Sequence, residues 1–298
     1  MMVDRNRIVI HAGMSRSGTT FLYHNLQKHP HIYVPQRKEL AYFAYNFDNG
    51  LEWYLNFFTD MRDNQMAIDI CGNYFMDPRA IDRILDFNPD SKIILGIRKP
   101  TEWIFSLYEQ YDGNFVVPPF QEFLNGCTVE REGKQVIFNF DDGKIRNTIS
   151  RFRDEFGSNL FLYDFSILGT HSLALLQALE RFIGVPPYFE EGNYTNKKIN
   201  ARGRRRIEWF DRLLQKRGVV DALIKTMPAP VLRVVRNWFD YLGSTQTSTA
   251  PKPPTEDKYS ERDYQRVAEM FHSDDRYVDE LFQNSPVILG DGRPVPLA

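Results

Sequence analysis

The sequence holds only two cysteines in 298 residues, Cys71 and Cys127. So few thiols cannot make a disulfide framework, and a reducing compartment suits them best. Excess charge of either sign is also missing: 37 Lys and Arg face 39 Asp and Glu, for a net charge of −2. That balance excludes the broad basic field of a general nucleic-acid binder, although a local basic patch can still form. Long apolar runs are lacking too. The polar start Met1–Arg7 leads into Ile8–Ile10, far too short for a signal peptide's apolar region or a membrane span. A cytoplasmic protein is the expectation. No metal cluster is apparent: His29 and His31 share a turn with no cysteine or carboxylate at ligand spacing. No internal repeat is found.

What is present is globular composition, 42% apolar and 26% charged, in a length ordinary for one α/β domain. Aromatics reach 14%, a share that mostly fills cores. Arg7–Gly13 reads as a buried strand, Phe21–Lys28 as a helix stopped by His29-Pro30, and His31–Val34 as a short strand. A helix over Leu51–Phe58, a strand over Met66–Cys71 and a helix over Pro78–Phe87 follow. Lys92–Ile97 is the clearest central strand, with a helix over Thr101–Tyr111 after it. Gly113–Gly143 reads as irregular; then come a helix over Lys144–Phe156, a strand over Asn159–Asp164 and a helix over His171–Ile183. Tyr259–Phe282 is a helix or helix pair. Strands alternating with helices imply a central parallel sheet covered on both faces, a three-layer α/β fold of P-loop type with a helical C-terminal region.

The segment Gly13–Thr20 (GMSRSGTT) lies between the first strand and the first helix. In that context loop amides and the positive helix end converge on one place, where an anion gains several hydrogen bonds. Gly13 and Gly18 have the spacing of a nucleotide P-loop, but Thr19 stands where the P-loop lysine belongs, and the cation is Arg16 instead. ATP hydrolysis is therefore disfavoured while binding of a phosphorylated nucleotide is retained. An ordinary tight turn is the bland alternative. A second anchor follows the central strand: Arg98 at its end, Pro100, and Ser106 within the next helix (KIILGIRKPTEWIFSLYEQY). Carboxyl ends of neighbouring parallel strands share one rim, so Arg98 can face the crevice of the first loop.

Together these segments resemble the sulfotransferases that use 3′-phosphoadenosine 5′-phosphosulfate (PAPS). RSGTTFL is similar to that family's 5′-phosphosulfate loop, and Arg98 with Ser106 to its 3′-phosphate site. KELAYF (Lys38–Phe43), GLEWYLNFF (Gly50–Phe58), DICGNYF (Asp69–Phe75) and RFIGVPP (Arg181–Pro187) resemble further segments of its glycan branch, over about residues 7–187. The sequence departs from that branch at Arg16, commonly lysine there, and at Ile70 and Cys71, where a basic and a hydroxyl residue are usual. The nearest match to the family's late glycine-basic loop is NARGRRR, Asn200–Arg206, with Arg202 as its candidate cofactor contact.

The resemblance implies a sulfotransferase; length, cysteine count and the lack of a metal cluster add the expectation of a cytoplasmic, metal-independent protein of one domain, 1–298. It would have a core over about 7–190, an acceptor-site or lid segment over about 200–250, and C-terminal helices over about 258–284. Arg16, Ser17, Gly18, Thr19 and Thr20 would hold the 5′-phosphosulfate; Arg98 and Ser106 the 3′-phosphate. Glu39 would be the catalytic base, with Asp69 as the runner-up, on a strand end expected at the same rim. Lys38 would either pair with Glu39 or touch the sulfuryl oxygens. The acceptor is expected to be a saccharide or small-molecule hydroxyl or amine, then a lipid or carrier-bound alcohol, and last a protein tyrosine. Residues 227–242, with Trp238 and Phe239 among Arg233 and Arg236, could cover an acceptor, lie on a membrane or pack on their own domain. A P-loop kinase, with Asp69 holding magnesium, and a non-catalytic nucleotide-binding module are the alternatives.

Overall fold

In the computed structural model, residues 3–112, 115–131, 133–195 and 258–297 are described. Short β-branched runs form the strands β1 (Ile8–Gly13), β2 (Ile32–Tyr33), β3 (Met66–Ile70), β4 (Ile93–Ile97), β7 (Leu160–Asp164) and β8 (Val287–Leu289). Among the described residues these make one sheet in the order β2-β3-β1-β4-β7-β8, parallel except for the antiparallel edge strand β8. Parallel neighbours need crossovers, and helices supply them: α1 (Thr19–Leu26), α2 (Leu51–Leu55), α3 (Ala80–Phe87) and α4 (Pro100–Asp112).

The pleat sends alternate side chains of each strand to opposite faces. Ile8, Ile10 and Ala12 of β1 join a core with Ile93, Leu95, Trp103, Ile149 and Phe152. Val9 joins the other, with Ile68, Ile94, Phe161, Leu22, Leu26, Leu175 and Leu179. Two cores on one sheet explain why β4 is apolar throughout. Each fully buried Ile or Leu side chain contributes about 1.5–3 kcal/mol. The chain runs from β1 to β3 on one side and then crosses to β4 on the other. The strand order therefore switches between β1 and β4, and the crevice at their carboxyl ends is where such sheets bind ligands.

One expectation about the fold is corrected. The stretch read as irregular, 113–143, contains α5 (Phe120–Phe123) and an antiparallel hairpin, β5 (Cys127–Arg131) with β6 (Lys134–Phe138). Among the described residues of this ribbon only Val129, Val136 and Phe138 bury apolar side chains, so its pattern is weak. β8 also escaped notice, because three residues after Pro286 carry no period of their own. The remaining helices are α6 (Lys144–Phe156), α7 (Ile167–Thr170), α8 (Ser172–Ile183), α9 (Glu261–Met270) and α10 (His272–Phe282). A capping box between Ser260 and Asp263 starts α9.

The chain divides into two compact units, 1–197 with 259–298, and 198–258. Of the second, only Lys258 is among the described residues, so the expectations on 200–250, on 227–242 and on Arg202 lie outside them. Among the described residues no helix is long and apolar enough to cross a membrane.

Candidate active site

Loop Met14–Gly18 leaves β1 at the switch point and enters α1. Its carbonyls are tied inward from two sides. The Trp103 indole N–H, on α4, donates to the Ser15 carbonyl at 2.8 Å, and the Tyr163 hydroxyl, on β7, donates to the Ser17 carbonyl at 2.8 Å. His11 completes this support from below. The Gly13 amide donates to its Nδ1 at 3.3 Å, so Nε2 carries the proton and donates to the Tyr163 oxygen at 3.2 Å. Burial, reinforced by the charge of Lys38, pushes the imidazole down to about 3 and keeps it neutral. His11 is thus a packed strut of the loop.

Missing Cβ atoms make room for the loop. Gly18, at φ 96, caps α1 without a side chain. A Cβ on Gly13 would lie 2.9 Å from the Gly72 carbonyl oxygen, and one on Gly72 would lie 2.7 Å from Ser15 Cα. Larger residues would force the loop and the 72–75 turn apart. Arg16 takes a left-handed φ of 66, which a non-glycine residue rarely adopts and which costs about 1–3 kcal/mol unless its surroundings enforce it.

One residue of each predicted anchor meets the other. Arg16 Nε donates to Ser106 Oγ at 2.9 Å, so the loop cation meets the hydroxyl of the second anchor directly. Lys38 Nζ donates to the hydroxyls of Thr19 and Thr20, each at 3.3 Å, at the N-terminus of α1. The lysine therefore turns toward the loop's helix end. Arg98 lies 4.9 Å over the Phe165 ring and 3.5 Å from the Glu102 carboxylate. Ser17 behaves differently from its expected part as a ligand donor. It is buried, and its hydroxyl and amide both donate to the Met14 carbonyl, which closes the loop on itself. Cationic groups and hydroxyl donors around an uncapped helix start form a donor set suited to an anion.

Glu39 is held by the 71–73 segment. Its Oε1 accepts the Gly72 amide at 3.2 Å and its Oε2 accepts Asn73 Nδ2 at 2.9 Å. Asn73 Oδ1 in turn accepts the Tyr111 hydroxyl at 3.3 Å. Asp69 is placed otherwise than expected. Paired with Ile10 in the middle of β1, it lies below the rim and is 1% exposed. Its Oδ2 accepts the hydroxyls of Tyr54 at 3.1 Å and Tyr74 at 2.7 Å, while Oδ1 has no partner. Burial raises this carboxyl to about 7, against the two tyrosine hydrogen bonds and with some help from the charge of Glu39. That place screens it from solvent.

Sequence reasoning missed Gly72, Asn73, Trp103, Tyr111 and Tyr163. Each sits in a segment that was noticed, but none carries a charge. Among the described residues no group of three or more His, Cys, Asp or Glu side chains is set to hold a metal ion.

The fold is that of the sulfotransferases. A solved sulfotransferase from Alicyclobacillus acidocaldarius superposes with a TM-score of 0.50 at 19% identity, covering 76% of this chain and 99% of that one. Particular relatives appear at the sequence level. The membrane-associated sulfotransferase kil1 of Dictyostelium discoideum is 37% identical over 106 residues, 35% of this chain and 22% of that protein. Human heparan sulfate glucosamine 3-O-sulfotransferase 5 is 26% identical over 191 residues, 61% of this chain and 54% of that protein. The chain thus spans about half or less of these curated relatives. No protein-family model matches it.

Proposed function

We propose that this chain is a PAPS-dependent sulfotransferase that moves a sulfuryl group to an acceptor hydroxyl or amine. The observation that carries this reading is the 2.9 Å contact of Arg16 with Ser106, which joins the two predicted cofactor anchors at the switch point. Both curated relatives are sulfotransferases by name, which supports the class.

Bound at this site, PAPS would supply the sulfuryl group together with a 5′-phosphate leaving group. Arg16 and the amides at the start of α1 would meet the charge that grows on the bridging oxygen. Thr19 and Thr20 would add hydroxyl donors, with Lys38 beside them. Arg98 and Ser106 would bind the 3′-phosphate and set the nucleotide's register. Glu39 would take the acceptor's proton as its oxygen or nitrogen bonds to sulfur, a task usually worth 10²- to 10⁴-fold in rate.

The acceptor reading is a saccharide or small-molecule hydroxyl. The heparan sulfate relative favours a sugar, whereas Ile70 and Cys71 in place of a basic and a hydroxyl residue favour a less anionic one. A cytoplasmic setting accords with Cys71 and Cys127, both free thiols. The kinase alternative needs Asp69 open to magnesium, and a 1% exposed carboxylate wrapped by two tyrosines speaks against it.

The test is transfer of label from [35S]PAPS to a panel of saccharides, phenols, alcohols and carrier-bound hydroxy acids, in chelator. Labelled product is expected, together with binding of the desulfated nucleotide PAP. Glu39→Gln should keep PAP binding and lose about 10²-fold or more in turnover. Absence of both PAP binding and labelled product would end this reading.

A further inference from the structure

Glu39 needs a fixed direction to act as a base, and its own side chain has three rotatable bonds on a half-buried segment. Three donors meet it: the Gly72 amide on Oε1, and on Oε2 Asn73 Nδ2 at 2.9 Å and the longer Cys71 thiol at 4.0 Å. The backbone amide comes with the turn, but the Asn73 side chain is a choice of residue. A carboxylate only accepts, so the amide nitrogen of Asn73 must face it and the amide oxygen must face away. That oxygen is not idle. It accepts the Tyr111 hydroxyl, so the orientation that Glu39 needs is the one Tyr111 enforces from the other side.

Tyr111 belongs to α4, the helix that also carries Trp103, bonded to the loop carbonyl of Ser15, and Ser106, bonded to Arg16. One rigid helix thus touches the loop, the cofactor anchor and, through Asn73, the base. At 1.5 Å per residue, positions 103 to 111 span about 12 Å along its axis, so a single helix supports all three points.

We propose that Asn73, held by Tyr111, is a positioning residue that aims the Glu39 carboxylate at the acceptor. The proposal rests on Glu39 being the base. It asks for an effect on turnover that exists only while the carboxylate exists.

The experiment is a double-mutant cycle on the full chain. Release of [35S]sulfate from [35S]PAPS, with water as acceptor, is measured for the parent, Asn73→Ala, Glu39→Ala and the double variant. PAP affinity is measured beside each. Asn73→Ala should lower kcat about 10- to 50-fold in the parent, with KM for PAPS and PAP affinity within twofold. In the Glu39→Ala background the same change should alter the rate less than twofold, because nothing is left to aim. Equal losses in both backgrounds would show that Asn73 only supports the fold, and the proposal would fall. Full activity in Glu39→Ala would instead remove Glu39 as the base. If Asn73→Ala loses PAP binding, Tyr111→Phe decides by the same cycle. It should slow the parent a few-fold and leave Glu39→Ala unchanged, and an equal effect in both overturns the proposal.

Discussion

His11 and Asp69 stand on neighbouring strands of one sheet, yet their buried polar atoms are treated in opposite ways. His11, on the face of Tyr163, has a partner on each ring nitrogen. Asp69, on the opposite face among Tyr54 and Tyr74, has both its hydroxyl donors on one oxygen and none on the other. Burial pushes both groups toward their neutral forms: the imidazole falls to about 3 and the carboxyl rises to about 7. Neutral His11 costs little at ordinary pH, and its hydrogen bonds hold the loop that meets the anion. Asp69 bonds Tyr74 of the 72–75 turn and makes no contact with the loop itself, and its ionised form is expensive. One burial shapes a site, while the other strains the core beneath it.

Replacing the strained group should give the largest effect. In the unfolded chain Asp69 releases its proton near the ordinary carboxylate value, whereas in the folded chain it keeps it up to about 7. The folded state therefore binds more protons between about pH 4 and 7, so stability is fullest below that window and falls as pH rises through it. The shift corresponds to about 4 kcal/mol at the upper end, as an order of magnitude. Asp69→Asn should unfold at distinctly higher urea than the parent at pH 8 and at similar urea near pH 4, with PAP affinity unchanged. A constant difference across that range would break the contrast with His11.

The opposite slope belongs to His11. Its proton is bound near 6.5 when unfolded and only near 3 when folded, so its contribution is full above pH 6.5 and is lost as pH falls. That loss proceeds at up to about 1.4 kcal/mol per pH unit. His11→Phe leaves the Gly13 amide without its acceptor and should cost about 2 kcal/mol at pH 7.5. The deficit should shrink toward pH 5, where the parent weakens. PAP affinity, read by calorimetry, should fall about tenfold because the loop loses its strut; unchanged affinity would make His11 a core residue like any other.

The sheet and the anion loop were legible because their signals are local. An apolar run, two glycines at fixed spacing and a helix start lie within Arg7–Lys28. Arg16, Ser106 and Glu39 were found through charge, hydroxyl or resemblance, and in the structure Arg16 bonds Ser106. Asp69 was misplaced because a strand that ends in an acidic residue looks like one that reaches the rim, and only the register with Ile10 shows otherwise. Asn73 and Tyr111 act through each other across 38 residues, and such a pairing leaves no mark in either segment. The hairpin β5–β6 buries one face only, so its alternation was too short to separate from loop.

Tyr163 offers the finest cut, because its hydroxyl bridges His11 Nε2 to the Ser17 carbonyl of the loop. Gly96 lies under the ring, where a Cβ would come within 2.8 Å of Cε2, so phenylalanine keeps the same seat and only the oxygen is removed. Tyr163→Phe leaves the Ser17 carbonyl and the His11 Nε2 proton buried without each other's bridge. The expected loss is about 1 kcal/mol in urea unfolding at pH 7.5, with PAP affinity down two- to fivefold. Because Nε2–H loses its acceptor whereas Nδ1 keeps the Gly13 amide, the acid-side slope of His11 should persist in this variant and vanish only in His11→Phe. If Tyr163→Phe instead abolished that slope, the tyrosine hydroxyl rather than burial would be what keeps the imidazole neutral. The division between a strut on one face and a strained carboxyl on the other would then need redrawing.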